Sequence, residues 1–427
     1  MNRLLQYLTR LLSGEYYKNI ATLITGSSLS QLILIVLTPV LTRLFSPDDF
    51  GLYSLFLTIV AILGVIGTGR YEVALLLPKE EEEAQHLFQL STALGLLFAI
   101  LLFAIVPVVY PYLVATFDPA YGAIYYWIPF AVAFQVVLQT ISVFANRIKK
   151  YRVLSISRIG GSGFNSIASM IYGYLQVKPL GLIYGKLFGI VLEVVILWSS
   201  LRKYISKPSQ NWRKEWLGVM KKYQNFPKFS TFEALLNIGH KQLPTLALIA
   251  FFGLKVAGLY ALANTLLSKP LGIVATSFSQ VFYQQTAEEE QVHSEKLKPF
   301  FLRNLKLLFG LAILPALFVV FFGPIFFAFF LGEEWFDSGV FAAWLVPYLV
   351  LNFLKTAFSS LVDIKDKIRE NAIWEGVFLV VGIFAFLLGK YYDDSLLTIQ
   401  MYSISGSLLA LLQLYWFYKL TEVKKQW

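Results

Sequence analysis

The stretch NIATLITGSSLSQLILIVLTPVLTRLFSPDDFGLYSLF, residues 19–56, decides the fold class. Residues 19–43 are mainly apolar and carry one charged residue, Arg43. A second apolar run begins at residue 51, directly after a short polar turn. Because a helix needs about 20 apolar residues to cross the hydrocarbon of a bilayer, the stretch predicts two transmembrane helices joined by a tight turn.

The composition extends this prediction to the whole chain. Of the 427 residues, 57% are hydrophobic and only 15% are charged, whereas a soluble domain has about 25% charged residues. The chain has no cysteine, which excludes disulfides, thiol catalysis and thiolate metal sites. Its three histidines lie far apart and have no metal-ligand spacing. We therefore predict an all-α polytopic membrane protein without a metal or organic cofactor.

Apolar runs of sufficient length recur along the chain. One of them contains GGSGFNSIASM, at residues 160–170, and this glycine-rich polar sequence predicts a helix packed closely against its neighbours rather than against lipid. We place about twelve transmembrane helices, at residues 19–43, 51–77, 86–111, 121–145, 156–176, 180–201, 229–252, 257–283, 300–330, 338–361, 371–390 and 396–420.

The distribution of basic residues predicts the orientation. With the N-terminus in the cytoplasm, the predicted cytoplasmic segments hold 27 Lys and Arg residues and the external segments hold 4. Such an excess is typical of cytoplasmic loops, so we expect both termini to be cytoplasmic. The net charge of +10 is then explained by anionic membrane lipids at that face, and no nucleic-acid partner is needed.

The chain also contains an internal repeat. GLYSL at residues 51–55 and GLYAL at residues 258–262 each open an even-numbered predicted span. This spacing predicts two six-helix bundles related by a parallel pseudo-twofold axis around a central cavity. The predicted segments are a cytoplasmic amphipathic helix at 1–18, bundles at 19–201 and 229–420, a linker with an interfacial helix at 202–228, and a cytoplasmic tail at 421–427.

Charged residues inside the predicted spans are the first candidate site residues, because each costs about 2.5–3.5 kcal/mol on insertion scales. Span seven carries a polar stripe at three- and four-residue steps, which predicts a face lining a water-filled cavity. The stripe consists of Glu233, Asn237, His240, Lys241 and Pro244. A structural pair of Lys241 with Glu233 or Glu193 is the alternative. The five cations predicted to bind substrate are Arg70, Lys186, Lys241, Lys269 and Lys355.

Of two neighbouring charges in span two, at least one is expected to need a separate partner. Arg70 and Glu72 would lie about 200° apart on a regular helix, so we expect no direct pair between them, and snorkelling is an alternative for Arg70. Amides extend the predicted substrate site, although uncharged polar stripes also join helices to one another. These amides are Gln135, Gln139, Asn264 and Asn352. The excess of cations over Glu72, Glu193 and Glu233 predicts a cationic cavity and an anionic cargo.

Three segments carry a family likeness. The opening stretch at residues 19–56, RYEVALLLPKEEEEA at 70–84 and PLGIVATSFSQVFYQQTAEEE at 270–290 resemble Wzx-type polysaccharide flippases of the MOP exporter superfamily. The resemblance implies a bacterial or archaeal inner or plasma membrane protein that flips undecaprenyl-pyrophosphate-linked oligosaccharide, a repeat unit of surface polysaccharide such as O-antigen, by alternating access.

The same resemblance implies roles and partners. The deep cations would engage pyrophosphate or acidic sugar, and an H⁺ or Na⁺ gradient would drive the movement. The candidates for carrying a coupling proton are Glu72, Glu193, Glu233 and His240, because an apolar environment raises a carboxyl pKa and histidine titrates near neutrality. A polysaccharide polymerase and a chain-length regulator are the expected protein partners.

Three other functions are alternatives to flipping. A MOP-superfamily antiporter for drugs or other lipids typically has an acidic residue in its first span, and residues 19–43 contain none. Peptidoglycan-precursor flippases are similar to proteins with fourteen spans, and this sequence has no room for two more spans than the predicted twelve. A membrane glycosyltransferase or polymerase would need a large external loop or an acidic metal motif. The acidic run Glu80–Glu83 is instead predicted to be a solvated helix start, so we predict that the protein is not an enzyme.

Overall fold

The computed structural model describes residues 15–116, 119–292 and 297–422, and within these ranges the regular structure is helical, without strands. The helices are α1 (Glu15–Leu44), α2 (Pro47–Thr68), α3 (Tyr71–Ala74), α4 (Glu81–Thr116), α5 (Trp127–Arg147), α6 (Tyr151–Tyr174), α7 (Leu180–Leu201), α8 (Trp212–Lys222), α9 (Thr231–Val292), α10 (Leu297–Leu331), α11 (Phe336–Ala357), α12 (Ser360–Ile364), α13 (Ile368–Tyr391) and α14 (Ser395–Leu420).

Ten helical segments of the described residues are long and apolar enough to cross a membrane. The difference from the predicted twelve has two sources. Predicted spans seven and eight are counted as one segment, although Gly253, with φ 85° and ψ −179°, interrupts α9 between them. Helix α6, the predicted fifth span, is absent from the ten apolar segments because its sequence is too polar. The chain is a multi-pass membrane protein.

The polar helix α6 packs against α1 and α7, as its composition predicted. Ser157, Ser166 and Ser169 are buried on it. A Cβ on Gly189 of α7 would lie 2.7 Å from the carbonyl oxygen of Gly161, so these two helix backbones approach as closely as glycine allows. Small residues let membrane helices pack in this way, and the prediction for this span is confirmed.

The second predicted span ends early, at Thr68 rather than at residue 77. Gly69 and Arg70 have φ values of 54° and 61°, so the helix breaks there and the short α3 follows. Arg70 Nη1 consequently lies 3.6 Å from Glu72 Oε1. The prediction that Arg70 and Glu72 cannot pair was wrong, because it assumed a continuous helix.

By contacts between residues, the chain divides into two units. Unit 1 comprises Met1–Phe45 and Tyr53–Gln242, and unit 2 comprises Ser46–Leu52 and Leu243–Trp427. The segment boundaries given above from the sequence remain predictions. Most of the N-terminal helix predicted at residues 1–18 lies outside the described residues, as does most of the tail predicted at 421–427.

The linker helix α8 packs on protein. Val219 is buried in a hydrophobic cluster of unit 1, and Trp216, Met220 and Tyr223 pack against that cluster. His86 Nε2 at the start of α4 lies 3.1 Å from Glu215 Oε2, and the indole of Trp216 donates a hydrogen bond to Gln89. The apolar face of the linker, predicted to lie in the membrane interface, therefore rests largely on unit 1.

The two repeat motifs contact each other within unit 2. A Cβ on Gly51 would overlap the carbonyl oxygen of Leu254, and one on Gly258 would overlap that of Pro47 and lie 2.7 Å from the nitrogen of Gly51. The start of α2 therefore crosses α9 backbone to backbone. The glycines of GLYSL and GLYAL are what permits this crossing.

Candidate functional site

In unit 1, α7 presents Lys186 and Glu193 seven residues apart, which places them on one helix face. Both side chains are half-buried. Glu193 interacts electrostatically with Lys186 and with Arg158 of α6. No ion pair of 4 Å or less involves these three residues within the described part of the chain. Arg158 is not among the predicted site residues, because its position near the start of the predicted fifth span groups it with the cytoplasmic basic residues, whereas α6 already begins at Tyr151.

Arg70 and Glu72 lie beyond the end of α2, outside the apolar span. The Glu72 side chain is 4% exposed and that of Arg70 is 30% exposed. Burial raises the pKa of Glu72 above its ordinary value of 4.5, against the smaller opposing effects of a hydrogen bond from Thr68 and the charge of Arg70. Burial therefore favours the protonated form of the Glu72 carboxyl, and the charge of Arg70 offsets this only in part.

The two glutamines of α5 lie at a helix contact. A Cβ on Gly64 of α2 would lie 3.5 Å from Gln135 Cγ and 3.8 Å from the amide of Gln139. Both side chains are half-buried, and Gln139 Oε1 has no hydrogen-bond partner among the described residues. This placement between α2 and α5 agrees with the alternative that these amides join helices to one another. Their role in substrate binding remains a prediction.

The polar stripe at the start of α9 is at least partly exposed at each of its charged and titratable residues. Glu233 and Lys241 are exposed, and His240 is half-buried. The structure of the described residues contains no ion pair of 4 Å or less for Lys241 with Glu233 or with Glu193. The alternative of a structural pair for Lys241 therefore has no support, and its role in substrate binding remains a prediction.

In unit 2, the later part of α9 carries Asn264 and Lys269, and α11 carries Asn352; all three are half-buried. Lys355 has a defined partner instead. Its Nζ lies 3.2 Å from Glu375 Oε1 of α13 and 4.3 Å from the centre of the Phe378 ring. Glu375 is not among the predicted site residues, although it is the fifth residue of the predicted span 371–390 and is visible in the sequence as another charge in a membrane span.

Each unit thus holds basic and acidic side chains together inside membrane-spanning helices. Unit 1 combines Arg158, Lys186 and Glu193, and unit 2 combines Lys355 with Glu375. Arg and Lys bind phosphate and carboxylate oxygens through charge-assisted hydrogen bonds. No cluster of metal-ligating side chains occurs among the residues that the structure describes. The expected central cationic cavity stays a prediction.

A protein-family model described as "Polysaccharide biosynthesis protein" matches residues 40–339 of the chain. This match covers well over half of the sequence, including four of the five predicted substrate cations and Glu193. Lys355 and Glu375 lie beyond it. No curated protein sequence matches the chain.

Several solved structures have a similar fold. A multidrug resistance MATE family transporter of the MOP superfamily, in an inward-facing conformation, is 16% identical, with 96% of each chain covered and a TM-score of 0.67. The lipid II flippase MurJ is 14% identical, with 93% of this chain and 89% of that chain covered and a TM-score of 0.69. A MOP superfamily transporter from Pyrococcus furiosus Vc1 is 16% identical, with 97% and 98% covered and a TM-score of 0.60. These likenesses show the fold.

Proposed function

Because the chain belongs to the polysaccharide biosynthesis protein family, we propose that it flips undecaprenyl-pyrophosphate-linked oligosaccharide from the cytoplasmic to the outer leaflet. It is a multi-pass membrane protein with the fold of transporters and of a lipid flippase, not an enzyme. The cargo would be a repeat unit of a surface polysaccharide, moved by alternating access in a bacterial or archaeal plasma membrane with both termini in the cytoplasm.

The observation that carries this proposal is the set of basic side chains within apolar helices of both units. A charge in a membrane span costs about 2.5–3.5 kcal/mol on insertion scales, so it persists where it has a partner or a task. Lys355 has a partner in Glu375. Lys241 is exposed and Lys186 is half-buried. Such cations are suited to a diphosphate or an acidic sugar that passes through the helices.

An ion gradient would drive the movement. Glu193 interacts with two cations in unit 1, so taking up a proton there would change the charge that an anionic cargo meets. Glu72, Glu233 and His240 are further candidates for carrying the proton, and a sodium ion is the alternative coupling ion. A polysaccharide polymerase and a chain-length regulator would use the product on the outer face.

A drug antiporter is the second candidate, because a multidrug resistance transporter shares the fold. Organic cations need an acidic site. The sequence of α1 contains one acidic residue, Glu15, at its first position, and none between residues 19 and 43. The basic residues of the membrane helices also disfavour a cationic cargo.

A deletion strain separates the two functions. If the protein is a flippase, deletion abolishes surface polysaccharide while lipid-linked oligosaccharide accumulates in the cytoplasmic leaflet. Expression of the intact protein from a plasmid restores the polysaccharide. Unchanged polysaccharide together with altered drug resistance would reject the flippase and support the antiporter.

A further inference from the structure

Two basic segments of unit 1 meet at Tyr204. Residues 147–152, RIKKYR, cover the turn between α5 and α6, and residues 202–207, RKYISK, follow α7; neither segment contains an acidic residue. Lys150 Nζ lies 5.1 Å from the centre of the Tyr204 ring, and Lys203 Nζ lies 5.2 Å from it. We propose that Lys150, Lys203 and Tyr204 form a site, the Tyr204 site, for the phosphate of an anionic phospholipid headgroup.

Helix α4 holds both basic segments in place. Glu81 Oε2, in its first turn, lies 3.3 Å from Arg147 Nε. One turn later, Gln85 Nε2 donates a hydrogen bond to the carbonyl oxygen of Tyr204 at 2.7 Å. The backbone nitrogen of Lys150 is also hydrogen-bonded, to a carbonyl oxygen of α5 at 2.8 Å. The backbone on both sides of the site is therefore fixed before a ligand binds, which lowers the entropic cost of binding.

The lysines of the site lack a counter-charge. The two segments hold four and three basic residues. Among the residues that the structure describes, Arg147 is the only one of these with a carboxylate within 4 Å. Because Lys150 and Lys203 both lie beside one ring, their like charges repel each other in the absence of an anion. A phosphate carries its charge on several oxygens, so it can accept hydrogen bonds from both ammonium groups.

The site lies at the level of lipid headgroups. The apolar segment that contains α7 ends at Tyr204, and the one that contains α5 ends three residues before Lys150. Tyr204 and Lys203 are exposed. Tyrosine and clustered basic residues at the ends of membrane helices are typical of contacts with headgroups. A phospholipid is already held at this depth by its acyl chains, so its effective concentration at the site exceeds that of a dissolved anion.

A fluorophore beside the site tests this inference. Since the chain has no cysteine, Ser206→Cys allows a single label two residues from Tyr204. The labelled full-length protein is placed in nanodiscs that contain nitroxide-labelled phosphatidylglycerol or, at equal mole fraction, nitroxide-labelled phosphatidylcholine. We expect phosphatidylglycerol to quench the label about twofold more strongly at low salt. The two lipids should quench it almost equally in about 1 M salt, where the Debye length is about 3 Å.

Two lysine variants locate the effect. Lys150→Gln and Lys203→Gln each bring the quenching by the two lipids close to equal, because one lysine near an anionic membrane surface changes binding about fivefold. Lys178→Gln is the matched control, since it removes the same charge at the opposite, exposed end of α7; it leaves the preference unchanged. Thermal unfolding shows which variants are folded, and Lys203→Gln, at an exposed position, tests the site should Lys150→Gln fail to fold.

Three results separate the possible ligands. Equal quenching by the two lipids at low salt in the folded labelled protein overturns the inference, as does an unchanged preference in the folded lysine variants. Inorganic phosphate that abolishes the preference at constant ionic strength overturns the assignment to lipid in favour of a dissolved anion. A protein that shows the preference but flips no lipid-linked sugar rejects the proposed function alone.

Discussion

Lys355 Nζ and Glu375 Oε1 lie 3.2 Å apart in unit 2, so the deep cation of α11 meets its counter-charge on α13. The Lys355 side chain is only 12% exposed, whereas that of Glu375 is 41% exposed. The lysine therefore depends on this partner more than the glutamate does, and the pair joins two helices through their membrane-spanning parts.

Removing the glutamate tests this pair. Glu375→Gln leaves Lys355 without its counter-charge, and we expect a loss of about 1–2 kcal/mol of stability, less than the roughly 3–5 kcal/mol of a fully buried pair. The double variant Lys355→Met with Glu375→Gln should be more stable than Glu375→Gln alone. Thermal unfolding in detergent measures both, with the exposed Glu334→Gln as control. Equal stability of Glu375→Gln and wild type would contradict the pairing.

The crossing of the two repeat motifs gives a second prediction. Gly258→Ala places a methyl group against the backbone of α2, so we expect a loss of about 1–3 kcal/mol through overpacking. Gly272→Ala on the same helix meets no atom within 4 Å and should be neutral or more stable by up to about 1 kcal/mol. Comparison of the two melting temperatures checks this. A Gly272→Ala as destabilising as Gly258→Ala would argue against the close crossing.

Glu72 predicts a pH dependence. Its pKa is raised above 4.5 in the folded protein, so the folded state keeps a proton that the unfolded chain releases. The contribution of Glu72 to stability is therefore fully present below the unfolded pKa and is lost as pH rises from about 4.5 through the folded pKa, by at most about 1.4 kcal/mol per pH unit. Glu72→Gln removes this slope. Melting temperatures of wild type and Glu72→Gln are measured from pH 4 to pH 7, at about half-unit steps. If the two curves of melting temperature against pH were parallel, the burial of Glu72 would not contribute to the pH dependence of stability.

Gln85 of α4 is hydrogen-bonded to the backbone at the start of the linker. Its Nε2 donates to the carbonyl oxygen of Tyr204 at 2.7 Å, and its Oε1 accepts from the backbone nitrogen of Ser206 at 3.1 Å. Gln85→Leu leaves both backbone groups without this partner, so we expect faster trypsin cleavage after the exposed Lys203, by about threefold or more. Glu82→Gln, an exposed change one turn earlier, is the control. Equal cleavage rates would show that Gln85 does not hold the linker.

Much of the fold follows from the sequence, because lipid imposes a minimum length and a low polarity on every spanning helix. The predicted spans therefore coincide with the long helices, including the polar α6. The break at Gly69 and Arg70 could not be read in this way, since a left-handed residue interrupts a helix without changing its hydropathy. The break at Gly253, by contrast, falls between predicted spans seven and eight.

The site was less predictable than the fold. The sequence alone identified Lys186 and Lys355, because each is a charged residue within a long apolar run. The sequence does not show which residues of other helices are their partners. Glu375 lies twenty residues beyond Lys355 on another helix, and Arg158 joins Glu193 only through the packing of α6 on α7. Such pairings depend on how helices are turned toward one another, which spacing within one helix does not encode.

The measurement that tests the central claim most directly is flipping in liposomes. The purified protein is reconstituted into vesicles that contain a fluorescent polyprenyl-diphosphate oligosaccharide, an ion gradient is imposed, and an impermeant quencher reports which leaflet holds the lipid. The account predicts gradient-dependent movement that is lost in empty liposomes and reduced in Lys186→Gln. Vesicles with correctly folded wild-type protein that move this lipid no faster than empty liposomes would contradict it.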